Sequence, residues 1–125
     1  MMLVSHYDLP QVWPQCVLWL HEAVKVNQGD ENLMDVAIGI DEGRYELWFE
    51  KDKFAAVVQI QEFPRQRVAC ILYAGGLLPA FREAYDEVKR IAKARGMNVL
   101  RVWGREGWER ALGMKRIGVV LQEQL

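Results

Sequence analysis

The glycines and prolines divide the chain into stretches with helical or extended patterns of apolar positions. Trp13, Cys16, Val17, Leu20, Ala23 and Val24 recur at helical spacing on one face. Asp8, with Gln11 three residues later, has the form of a capping box ahead of them, and Gly29 closes the stretch. Pro14 interrupts it, because proline removes an N–H and clashes one turn back. The pattern therefore predicts either a short turn ending at Trp13 with a restart, or a helix kinked at Pro14. A second helix begins at Asp30 or Asn32 and runs to about Glu42, with Leu33, Met34, Ala37 and Ile40 as its stripe and Gly43 as its stop.

Three strands are expected next. Tyr45–Glu50 alternates Tyr45, Leu47 and Phe49 against Glu46, Trp48 and Glu50, so Trp48 points away from the apolar set. Phe54–Phe63 is long and β-rich, and Arg67–Ala74 reads as a buried central strand. Short turns at Lys51–Lys53 and Pro64–Gln66 make the three an antiparallel meander. After Gly75-Gly76, Pro79 opens the most amphipathic helix, with Phe81, Ala84, Tyr85, Val88, Ile91 and Ala92 on one face and Gly96 at its end. Val99–Trp103 reads as a strand, Gly107–Leu112 as a short helix and Ile117–Leu121 as a final strand. The order is ααβββαβαβ, an α/β chain whose sheet is mixed and partly antiparallel. The strands on either side of the long helix should run parallel.

Composition narrows the function classes. With 125 residues, 51% apolar and 26% charged, the chain reads as a single domain over 1–125 and not as a disordered segment. No apolar run approaches the ~18 residues of a membrane span, and His6 and Asp8 break up any secretory signal, so no membrane association is expected. Cys16 and Cys70 make neither a disulfide framework nor a zinc site, and a reducing, cytoplasmic setting follows. His6 and His21 lack metal-ligand spacing, so no metal is expected. Net charge is −1, but residues 1–62 carry 4 Lys/Arg against 11 Asp/Glu, and residues 63–125 carry 12 against 6. That asymmetry suits a phosphate-bearing ligand, a charged protein partner or self-association, or mutual neutralisation within one domain. There is no overall basic excess, and no nucleic acid is expected.

The element order, together with Leu112-Gly113-Met114 after the last short helix, resembles the GNAT (N-acetyltransferase) superfamily over nearly the whole chain. The segment Gly104-Arg105-Glu106-Gly107-Trp108 resembles small GNAT-like proteins encoded in tailed-phage genomes, which would place the chain in a host cytoplasm or a virion. The resemblance implies a GNAT-like sheet flanked by helices, and two chemical sites. At the first, a basic, glycine-rich loop before the crossover helix holds the pyrophosphate of acetyl-CoA on backbone amides and a helix N-terminus. Here that place holds Gly75, Gly76 and Leu77, with no Arg or Gln, and Pro79 removes one amide. These residues form either a small anion nest or a tight strand-to-helix turn. At the second, the short last helix places Glu109 where the family often carries an acid tyrosine. An ionised Glu cannot donate a proton. For a general base the meander offers Glu46, Glu50 and Glu62, with Glu62 the catalytic candidate.

Aromatic and basic residues supply interface candidates. Trp48 is either covered by a helix or an exposed contact. Trp103 and Trp108 flank Gly104–Gly107, so Trp108 and Arg105 form a strand-to-helix corner or a protein contact. Two functions follow from these readings. One is a catalytically degenerate GNAT-like module, with no cofactor, acting as a structural or protein-binding component of a phage particle or its assembly. The other is a divergent acyl-CoA-dependent N-acyltransferase that uses acetyl-CoA. A deep cleft between the strands ending near Ala74 and beginning near Val99, lined by free amides, favours the enzyme; the same place filled by side chains such as Leu77 or Trp103 favours the structural role.

Overall fold

The computed structural model describes residues 1–104 and 106–125. Its elements are β1 (Met2–Leu3), α1 (Leu9–Val24), α2 (Leu33–Asp41), β2 (Glu46–Glu50), β3 (Phe54–Glu62), β4 (Arg67–Gly76), α3 (Leu78–Ala94), β5 (Val99–Val102) and α4 (Glu106–Leu112). The strands form one sheet in the order β1-β2-β3-β4-β5. All neighbours are antiparallel except β4 and β5, which run parallel as the α3 crossover requires.

Strand alternation sorts the core into two faces. Leu47, Phe49, Ala55 and Val57 pack with Val12, Cys16, Leu20 and Val36 beneath α1 and α2. Trp48, Phe54, Ala56 and Val58 pack with Phe81, Ala84 and Val88 beneath α3. Trp48 is thus not an exposed contact: only 1% of it reaches solvent, because α3 covers the face to which alternation sends it. Burial pushes the Cys16 and Cys70 thiols up to about 11, with smaller opposing effects at Cys70 from Trp103 and Arg101. Both cysteines are free and lie in the core.

Three local expectations change. Helix α1 runs unbroken through Pro14. The N–H that Pro14 lacks would have gone to the carbonyl of Pro10, in the first turn, so a single bond is missing near the end of the helix. Asp8 does cap α1 by position, but its carboxylate accepts from Ser5 Oγ at 3.0 Å and not from the helix. The strand expected at Ile117–Leu121 is absent, and residues 114–125 hold no regular secondary structure. That stretch has the apolar composition of a strand but forms no ladder with the β5 edge beside it. At the other end, Met2–Leu3 adds the short edge strand β1 on β2. Of the two starts open to α2, Asn32 is the one used, within a capping box: Asn32 Oδ1 accepts from the Asp35 amide at 2.9 Å, and Asp35 accepts from the Asn32 amide at 3.0 Å.

A β-bulge in β4 positions the functional region. Val57 faces Tyr73 and Val58 faces Ile71, so Leu72 is an extra residue opposite no partner. One inserted residue turns the rest of the strand over. Ile71 belongs to the α3 face, whereas Tyr73, two residues on, belongs to the α1/α2 face. The ladder with β5 stops at the same point. Its last pair is Ile71 with Val102, extended only by the Trp103 amide donating to the Ile71 carbonyl at 3.0 Å.

The meander is clamped to the end of α3 by an ion pair. Arg95 Nη1 and Nη2 donate to Glu46 Oε1 and Oε2 at 2.6 and 2.8 Å, and the Trp48 indole N–H donates to Oε1 at 3.0 Å. Burial pushes the Glu46 carboxyl up, but these donors and the Arg95 charge outweigh it and hold the group below its ordinary 4.5. Glu46→Gln should cost about 1–2 kcal/mol at neutral pH, since the pair is only half-buried. A depressed folded-state value stabilises above the ordinary value and is lost as pH falls through the folded one. Denaturation of both forms across pH 2–7 should therefore show the difference shrinking below about pH 4.5; a constant difference contradicts the assignment.

Candidate functional site

Beyond Ile71 and Val102 the parallel strands part, leaving Tyr73–Gly76 of β4 paired on the β3 side but without a ladder partner on the β5 side. A cleft of about 510 Å³ opens there. Leu18, Trp19 and Glu22 of α1 form one wall and Trp103, Gly104 and Trp108 the other; Leu77, Leu78 and Phe81 close the end at the start of α3. The lining is largely apolar, and Leu18, Leu77, Leu78 and Trp103 are exposed at its rim. The chemistry this offers is an unpaired strand edge beside an apolar trough, suited to an extended ligand that takes backbone hydrogen bonds.

Both features set against each other by the sequence occur together: the cleft lies where an enzyme needs it, and Leu77 and Trp103 line it. Gly75, Gly76 and Leu77 are also there, and packing explains all three. A Cβ on Gly75 would stand 2.7 Å from the Trp19 carbonyl oxygen and 2.8 Å from its Cβ, so this glycine lets α1 lie directly on β4. Gly76 has φ +116° and backs onto the Lys53 carbonyl, and the Leu77 amide donates to that same carbonyl at 2.8 Å. Helix α3 follows at once, with Leu77 as N-cap and Pro among its first two residues. The amide of Leu77 is spent inside the fold and Pro79 has none, so two backbone positions of this turn offer no donor to an anion. The apolar trough does fit the slender arm of a thioester such as acetyl-CoA.

The proposed catalytic carboxylates are not brought to the cleft. Glu62 sits at the far end of the β3–β4 hairpin, eight residues from the Phe54–Gly76 pair and so roughly 25 Å away by strand rise. It is exposed and pairs with Arg67 Nε at 3.1 Å. Glu109 is exposed, pairs with Arg116 at 3.0 Å, and borders a separate groove on the outer side of β5. Trp108 is half-buried, edge-on to Phe81 with ring centres 5.1 Å apart, and fills the corner between α3 and α4. Arg105 lies outside the described residues.

A cluster that the sequence did not single out adjoins the bulge. Tyr73 Oη donates to Glu31 Oε1 at 2.6 Å, Tyr45 Oη donates to the same carboxylate at 3.0–3.1 Å, and Asn27 Nδ2 donates to Tyr73 Oη at 3.1 Å. Burial first, and then hydrogen bonding to Glu31, raises both phenols above their ordinary 10. The cluster ties the α1–α2 loop to β4, and it depends on the bulge that turns Tyr73 to this face. Tyr45 and Tyr73 carried only an apolar signal in the sequence, and Glu31 stands in a loop with no motif. Among the described residues, no group of three or more His, Cys, Asp or Glu could hold a metal ion, and no helix is long and apolar enough to cross a membrane.

No protein-family model matches the chain, and no curated protein matches its sequence. Solved structures do match its shape. An aminoglycoside acetyltransferase from an uncultured soil metagenomic sample superposes with a TM-score of 0.68 at 12% identity, over 99% of this chain and 94% of that one. A protein described as a possible acetyltransferase from Clostridium difficile 630 gives 0.63 at 14% identity, over 99% and 95%. The integron cassette protein HFX_CASS3, from the mobile metagenome of Cole Harbour Salt Marsh, gives 0.61 at 14% identity, over 98% and 88%. The chain therefore has the GNAT acetyltransferase fold, a mixed α/β sheet flanked by helices.

If packing rather than ligand contact dictates Gly75, Gly75→Ala should lower stability by about 1–3 kcal/mol with no ligand present, by forcing α1 off the sheet. Chemical denaturation measures this, and an unchanged midpoint contradicts it.

Proposed function

We propose that the chain is a catalytically degenerate GNAT-fold module that works by binding, through protein contacts, and not by acyl transfer. The observation that carries this reading is the fate of the turn before α3. Its glycines are filled by Trp19 and Lys53, and its first amide is bonded to the Lys53 carbonyl. The two carboxylates the sequence put forward support it too, since Glu62 and Glu109 are ion-paired away from the cleft. The likeness of Gly104–Trp108 to phage-encoded GNAT-like proteins makes a phage particle or its assembly the setting of this role, with a protein partner or a further copy of the chain as its contact.

A second reading is a divergent acyl-CoA-dependent N-acyltransferase. It is favoured by the open trough beside the unpaired edge of β4, which has room for an acyl-thioester arm.

Thermal unfolding with acetyl-CoA separates the two. A ligand at one hundred times its Kd stabilises by about 2.7 kcal/mol, or roughly 5–15 °C in a domain of this size. The binding-module reading expects a shift under about 1 °C at millimolar acetyl-CoA, and no release of free thiol with amine acceptors. A shift of several degrees that adenosine alone does not give, or thiol release above background, overturns it in favour of the enzyme.

A further inference from the structure

We propose that residues Ile117–Leu121 are a strand whose partner is the same segment of a second copy, paired antiparallel across a two-fold axis at Val119. This rests on the tail and the outer edge of the sheet, and is independent of any ligand of the cleft.

The tail has the composition of a strand and the exposure of an unfinished one. Ile117, Val119, Val120 and Leu121 are 72%, 74%, 70% and 88% exposed, an apolar run that water does not favour. Beside it the sheet ends on β5, which has a ladder partner only on the β4 side. A groove of about 480 Å³ separates β5 from the tail, and both line it. The chain does not close this groove on itself. Gly113, at φ +67°, ends α4, and Arg116 then pairs with Glu109 of α4 at 3.0 Å. That pair fixes the start of the tail on α4, and residues 117–120 run along the groove, exposed and without a ladder to β5.

The charge pattern selects a second copy as the occupant. The run is Lys-Arg-Ile-Gly-Val-Val-Leu-Gln-Glu over 115–123. Pairing two copies antiparallel about Val119 sets Ile117 against Leu121 and Lys115 against Glu123, and by symmetry each pair occurs twice. Apolar thus meets apolar and opposite charges meet, the arrangement that stabilises directly opposed strand residues. A two-stranded ribbon alone is marginal. Here its inner side can settle on the groove of each copy, onto Val99, Leu100 and Trp108. The product is a closed two-fold dimer, not an open array, because the same surface is used by both partners. It would also brace β5 and α4, which form the outer wall of the cleft.

Light scattering on the full chain should give a concentration-dependent dimer, twice the 14.5 kDa chain mass. Val119→Pro removes a ladder donor in a segment that is exposed and outside the folded sheet, so it should yield a folded monomer with unchanged circular dichroism. Val119→Cys places two thiols opposite each other at the axis, about 4.5–5.5 Å between Cα atoms, and should cross-link into disulfide dimers on mild oxidation. Lys115→Glu should weaken the dimer about threefold to thirtyfold, and adding Glu123→Lys should restore it. A monomer at all concentrations overturns the proposal, including one whose 117–121 amides are protected from exchange, which would mean pairing with its own β5. So does a dimer that Val119→Pro leaves intact, or one that Val119→Cys does not cross-link, or a charge reversal that the double variant does not rescue.

Discussion

One inserted residue, Leu72, shapes most of what this chain can do. Until Ile71 the central strand pairs on both sides, and after it the strand turns over and pairs only with β3. The turn-over sends Tyr73 to the α1/α2 side, where its hydroxyl reaches Glu31 and anchors the helical loop. The parting of β4 from β5 opens the cleft, and its depth is limited by how closely α1 and α3 approach the free end of β4. The cleft and the loop anchor are therefore two consequences of one bulge, a local irregularity of the kind that re-aims side chains beside functional sites.

The same region carries the proposed reading of a fold shared with acetyltransferases. An anion site at a strand-to-helix turn needs amides that nothing else uses. In this chain that turn is spent on packing. Gly75 admits α1, Gly76 admits the Lys53 carbonyl, and the Leu77 amide satisfies that carbonyl. Each of these strengthens the joint between α1, the β2–β3 turn and α3. A turn made tight in this way leaves the trough in place and commits the Leu77 amide to the Lys53 carbonyl.

Much of the architecture was legible because local chemistry and tertiary packing agree. α2 starts after Asn32, the turns of the meander lie where polar residues interrupt β-rich runs, and the stripe on α3 is the face that buries Phe81 and Val88. The misses arise where an outcome depends on distant partners. Alternation correctly sent Trp48 to the second face, but only the course of α3 decides that the face is covered. The tail is as apolar as a strand of the sheet, yet it forms no ladder with the β5 edge across the groove from it. The site was least legible of all. Glu62 and Glu109 were chosen by residue type and family position, whereas their neighbours Arg67 and Arg116 neutralise them. The Glu31–Tyr45–Tyr73 cluster joins three segments that no motif connects. A bulge leaves no mark in a run as uniformly apolar as Val68–Ala74, because either register buries it.

Hydrogen exchange along β4 in the full-length chain tests the central claim most directly. With the ladder ending at Ile71–Val102, the amides of Val68–Ile71 should exchange slowly. Between Leu72 and Gly76 the amides that point away from β3 should exchange orders of magnitude faster, with or without acetyl-CoA. Uniform protection from Val68 to Gly76 would mean that the strands do not part. Protection appearing only on addition of acetyl-CoA would mean that the free edge is a working thioester site. Either result would contradict the proposed binding module, whose β4 edge stays open.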